Sequence, residues 1–248
     1  MATLSDARTT LARQLPGRTY DRYFFSAMTL LILILVAVGF APKYYAAGVF
    51  RAPLPSVIIH VHAVVFSAWI LLLGVQTALV FVRRVAVHRT LGVAVFCLAP
   101  LVFVFGFLAM ASELRFRASL GDQILTFSAV AFKGFFVYGV MAAMSYATRK
   151  HDTAAHKRYM LLSTLGLLGA AVFRLPIPWV HLQVAHTFLA VDALAVVMAI
   201  YDLWSTHKVH RATLWGGLFL IVGQQLTVPM GETAAWHAFA RWLQSLNI

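Results

Sequence analysis

Long apolar runs separated by short basic clusters fill the chain. A helix needs about 20 mostly apolar residues to cross the hydrocarbon core of a bilayer. Seven stretches approach or exceed that length: 24–41, 56–82, 91–112, 123–148, 159–177, 184–204 and 212–230. Their ends have physical causes. Arg83 and Arg84 close the second stretch, Glu113, Arg115 and Arg117 the third, and Arg149, Lys150 and Asp152 the fourth. Pro176 and Pro178 close the fifth, because proline lacks the amide proton a helix needs. Pro100 predicts a kink within the third. No tandem repeat or linker divides the chain. The pattern therefore predicts an all-α, polytopic membrane protein, with a seven-transmembrane-helix bundle over 23–231. Two amphipathic ends flank it. Residues 1–22, with Leu4, Leu11 and Leu15 among arginines, read as a cytoplasmic segment on the membrane surface. Residues 232–248 read as an interfacial helix with Trp236, Phe239, Ala240, Leu243 and Leu246 on one face.

Composition agrees with the pattern. Of 248 residues, 61% are hydrophobic and 11% charged, against about 45–50% and about 25% in soluble domains. A water-soluble enzyme and a long disordered region are both excluded. The net charge of +12 would suggest nucleic acid in a soluble protein, but here it sits in short loops and orients the chain. Thirteen of the 20 lysines and arginines fall in the amino-terminal segment and the second–third, fourth–fifth and sixth–seventh loops. Six fall on the opposite side, and Lys133 lies within a span. Positive residues favour the cytoplasm, which predicts an inside amino terminus and an outside carboxyl terminus. The first apolar run has no small-residue cleavage site after it and reads as a retained span. The expected location is a bacterial inner membrane, multi-pass, with the bilayer as first partner, no nucleic acid, and homo-oligomerisation left open.

Polar groups inside spans carry the candidate chemistry, since lipid penalises them. His62, Trp69, Gln76 and Arg83 recur every seven residues, a drift of about 20° per step, so they form one stripe on the second span. The stripe reads as interhelical hydrogen bonding, or as a cofactor or metal held by His62 above a Trp69 floor. His62 and His186 lie about two turns inside their spans at matched depth. Arg174, at the end of the fifth span, is placed to neutralise a haem propionate or an anionic lipid. Asp192 is set to orient a histidine or take a proton. The predicted cofactor site thus comprises His62, His186, Trp69, Gln76, Arg174 and Asp192, and the metal candidates are His60, His62, His181 and His186. A second site over His88 and His156 stands beside the alternative that these basic loops bind lipid headgroups. Gly92, one turn above His88, would let a macrocycle or another helix approach the backbone. Lys133 reads as a snorkelling or pore-facing group, or as a counter-ion for Asp192. Cys97 is the single cysteine, so no intrachain disulfide or cysteine-built metal site exists. HExxH, phosphate-loop and GxSxG motifs are absent.

With His62 and His156 on other spans, the His88-Arg89-x-Leu-Gly92 motif resembles the b-type membrane cytochromes of the ferric- and ascorbate-reductase type. That resemblance implies haem b and electron transfer, with a quinone or a redox protein as partner. The fourth span has no histidine, so His181 or His186 would stand in for its ligand. His62-x6-Trp69-x6-Gln76, HRTLG, HKRYM, Arg174, Tyr201-Asp202 and His210-x5-Gly216 together resemble a family of bacterial seven-span, histidine-rich membrane proteins of unassigned activity. The seven spans and Ser56-x3-His60 are similar to the ceramidase and hemolysin III type of zinc-dependent membrane hydrolases. Zinc would serve amide hydrolysis there, although the seventh span lacks their His-x3-His; copper is a further metal alternative. A third class is a non-catalytic transporter or assembly factor, with Gln76, Gln224, Gln225, Asp192 and Lys133 lining a polar path.

Overall fold

Apolar runs of this length satisfy their backbone internally, and in lipid that means helix. The computed structural model describes residues 16–52, 56–177 and 183–246, and among these there is no strand. Seven long helices alternate in direction: α1 (Pro16–Phe40), α2 (Val57–Phe81), α3 (Val85–Phe116), α4 (Asp122–Thr148), α5 (Thr153–Val172), α6 (Val184–Thr206) and α7 (Arg211–Gly231). A short α8 (Ala234–Ser245) follows. The face holding the start of α1 is called near, and the opposite face far.

Five helices are long and apolar enough to cross a membrane: Tyr20–Tyr45, α2, α3, α4 and α6. They present Leu30, Ile34, Val64, Leu71, Val93, Leu189 and Ile200 to the surroundings, as a protein in lipid does. The other two long helices are more polar because of where they pack. α5 buries Arg158, Ser163 and Thr164, and α7 buries Thr213, Gln224 and Thr227. Inside the bundle these groups find partners that lipid would not supply.

Trp69, Tyr138, Leu162, Leu165, Met198 and Leu220 fill the core. The crossing of α1 on α5 depends on a missing side chain. A Cβ on Gly39 would lie 2.3 Å from the Ala171 carbonyl oxygen, so only glycine permits this approach.

Several expected boundaries move. Residues 16–22 continue directly into α1 rather than forming a separate surface segment, and residues 1–15 lie outside the described residues. α3 starts at Val85, which puts His88 and Gly92 in its first turns instead of at a helix mouth. α5 starts at Thr153, because the Asp152 carboxylate caps it by accepting from Ala155 N at 2.8 Å. His156, Lys157 and Arg158 are therefore helical. α5 then ends at Val172, ahead of Pro176.

The carboxyl-terminal helix also docks differently from expectation. Its apolar face packs on the far ends of α3 and α4, against Met110, Leu114, Ile124 and Leu125. Trp236 Nε1 donates to Leu125 O at 2.8 Å, and Gln244 Nε2 donates to Leu114 O at 2.8 Å. An apolar face with this pattern suits protein or lipid equally, and here bundle carbonyls give it directional partners.

Candidate functional site

The heptad stripe turns into the bundle at Trp69, 1% exposed, and Gln76, 9%, but its fourth member, Arg83, is exposed beyond the end of α2 at Phe81, with φ 63°. The stripe passes two separate polar regions, one in each half. Trp69 divides them, with its edge on Tyr138 at 5.0 Å and its Nε1 donating to Thr164 Oγ1 at 3.4 Å. It is a core residue, and the cavity wall beside it is formed by Ile70 and Thr164.

In the near half, His88 of α3 faces His156 of α5 with ring centroids 6.5 Å apart and planes at 72°. Both rings are held from behind. His156 Nδ1 lies 2.9 Å from the Ser145 carbonyl oxygen, to which it donates, and Ser145 Oγ donates to His156 O at 3.0 Å. The proton on Nδ1 leaves Nε2 of His156 with its lone pair. On the other side lies the Gln76 amide; oriented with its nitrogen toward His88, it donates to His88 O at 3.1 Å and to His88 Nδ1, and its oxygen accepts from Gly92 N at 3.1 Å. The Gln76 side chain of α2 comes no nearer than 4.0 Å to where a Cβ on Gly92 would stand, so its approach does not require a glycine. Four helices thus converge on one histidine pair.

The far half contains a cavity of about 730 Å³, lined by aromatic and aliphatic side chains with Lys43, His62, Glu113, Arg117, Lys133 and Arg174 among them. His62 stacks at 4.1 Å on Phe66, and its Nδ1 is buried without a hydrogen-bond partner. Arg174 shares the wall, donating to Ala170 O at 2.8 Å and lying over the Phe40 ring at 5.2 Å. His186 does not join them. It is exposed and closes a capping box at the start of α6, its Nδ1 accepting from Gln183 N at 3.2 Å. Matched depth put His62 and His186 at one level, but packing put them around different axes. His60 meets the Tyr44 hydroxyl at 3.3 Å, and His181 lies outside the described residues. Among the described residues no three His, Cys, Asp or Glu side chains converge to hold a metal.

Asp192 is engaged by amides rather than a histidine. It accepts from Gln224 Nε2 and from Gln225 Nε2, the latter at 3.3 Å, and borders a separate pocket of about 270 Å³. Lys133 donates to Gln224 Oε1 at 3.2 Å, so the expected Lys133–Asp192 relation runs through Gln224.

Sequence reasoning missed the polar network of the near face. Arg158 and Asp202, 3% and 0% exposed, form a buried ion pair between α5 and α6. Asp202 also accepts from Thr213 Oγ1 at 2.5 Å and from His210 N at 3.1 Å. Lys157 pairs with Asp21, which accepts from the Tyr201 hydroxyl at 2.7 Å. The signal was available: HKRYM and Tyr201-Asp202 lie at the same predicted depth with opposite charges.

No family model, curated protein or solved structure matches the chain.

Proposed function

We propose that this is a seven-span, histidine-rich membrane protein that holds haem b between His88 and His156 and serves electron transfer. The carrying observation is the 6.5 Å centroid separation of two rings on different helices. Two imidazoles bound trans to one metal, with bonds of about 2.0–2.1 Å, place their centroids roughly 6 Å apart, and a tetrahedral pair brings them closer. At this spacing His88 and His156 would be the residues to hold such a group. The backing of His156 supports the same reading, because metal-bound histidines are oriented through their second nitrogen. Ser145 keeps the proton on His156 Nδ1. Haem supplies a one-electron carrier whose potential is set by ligands and burial.

The site proposed here lies in the opposite half from the His62–His186 pair anticipated from depth. α5 and α7, at 20 and 21 residues, are about 30 Å long and complete the seven spans. The basic near face, with the amino terminus, is the cytoplasmic face of a bacterial inner membrane. Among the described residues the three-ligand zinc hydrolase has no comparable convergence in its favour.

An absorption spectrum of the purified protein, with metal analysis, tests this. A Soret band that shifts on reduction is expected, lost in His88→Ala and His156→Ala and kept in His62→Ala. A colourless protein, or a band lost only with His62, overturns the reading.

A further inference from the structure

The far cavity has a chemistry of its own, independent of the near histidine pair. Its wall carries Lys43, Arg117, Lys133 and Arg174 but, among its described lining residues, a single carboxylate, Glu113. Glu113 is already paired with Arg117 at 2.7 Å. At the deep end, about 16 Å inside α4 by helical rise, Lys133 is bonded to Gln224 and balanced through it by Asp192. The remaining positive charges, without an ion pair among the described residues, are therefore Lys43 and Arg174, and the Arg174 guanidinium lies toward the mouth. His62 adds a second, different demand. Its Nδ1 is buried with no partner. In the neutral ring with the proton on Nε2, Nδ1 offers a lone pair and needs a donor. Between cation and lone pair runs an apolar wall including Phe66, Met110, Phe135 and Leu167. A volume of about 730 Å³ falls in the range of small-ligand sites, about 300–1,000 Å³.

We infer that this cavity binds an amphiphile with a phosphate monoester head and an acyl tail. In its singly protonated form such a head presents both groups the wall lacks: an oxyanion for Arg174 and a P–OH donor for His62 Nδ1. A fatty carboxylate supplies the charge without the donor, and a fatty alcohol the donor without the charge. The tail lies along the apolar wall toward the middle of the bundle and stops short of the charge-balanced Lys133.

Dodecyl phosphate, laurate and dodecanol, titrated against the purified protein in a neutral detergent, give the test. Dodecyl phosphate is expected to bind about tenfold or more tightly than either comparison, since a charge-assisted and a neutral hydrogen bond are both at stake. Arg174→Gln should remove that margin and Arg174→Lys should keep most of it. Ala63→Phe, which fills cavity volume beside His62 without touching charge, should weaken all three compounds. A second arm locates the source: native mass spectrometry after reconstitution in phosphatidylcholine containing phosphatidic acid. Retained phosphatidic acid assigns the ligand to the bilayer, and binding in the first arm alone assigns a dispersed single-chain phosphate. Equal affinity for the three compounds, or Arg174→Gln and Ala63→Phe both binding dodecyl phosphate like the parent protein, overturns the inference.

Discussion

The two halves of the bundle are made by the same seven helices, yet one is closed and the other hollow. Among the described residues of the near half, buried charges have partners on other helices, Arg158 with Asp202 and Lys157 with Asp21, and the neutral His88–His156 pair is backed by Gln76 and Ser145. In the far half aromatic and aliphatic walls stand apart around about 730 Å³, and the cations there outnumber the carboxylates. Buried polar groups demand specific partners and draw helices together, whereas apolar walls tolerate a gap. The near half is built to be held in one arrangement, and the far half to admit something.

The largest expected effect lies in the near half. Asp202→Ala leaves Arg158 buried and uncompensated, which should cost about 3–5 kcal/mol in denaturant titration of the reconstituted protein. Arg174→Gln in the far half should move stability by less than about 0.5 kcal/mol. Equal losses would dissolve the contrast between the halves. Gly39→Ala drives a methyl group against the Ala171 carbonyl oxygen and should cost about 1–3 kcal/mol, showing how far the α1–α5 crossing resists separation. Trp69→Phe, at the boundary, gives up the bond to Thr164 and should cost about 1 kcal/mol, without altering a haem spectrum if the cofactor lies in the near half.

The smallest effect is in pH dependence. His210 caps α7 with Nδ1 accepting from Ala212 N at 3.1 Å, which requires a neutral ring. Burial, and then the charge of Arg158, hold its pKa below the ordinary 6.5. The folded protein binds this proton less readily than the unfolded chain, so the contribution is intact above pH 6.5 and fades as pH falls below it. His210→Asn caps without titrating and should flatten the acid limb of a stability–pH curve. An unchanged limb would place the acid sensitivity outside this cap.

The sequence by itself determined that the protein is helical and apolar enough for a membrane, because hydropathy and the length of runs are one-dimensional properties. It also determined that His62, Trp69 and Gln76 share a face, because heptad spacing on a helix is local geometry. The face of the last helix was legible too, but not that α3 and α4 would receive it. Which histidines meet was decided only in three dimensions. His62 and His186 have matching depth, but partnership also depends on azimuth and neighbour order, which spacing along one helix does not encode. His88 and His156 look like loop residues beside arginines until Asp152 caps α5 and Gln76 reaches α3. The cavity, too, belongs to the packing alone, since it is defined by what six separate helices leave unfilled between them.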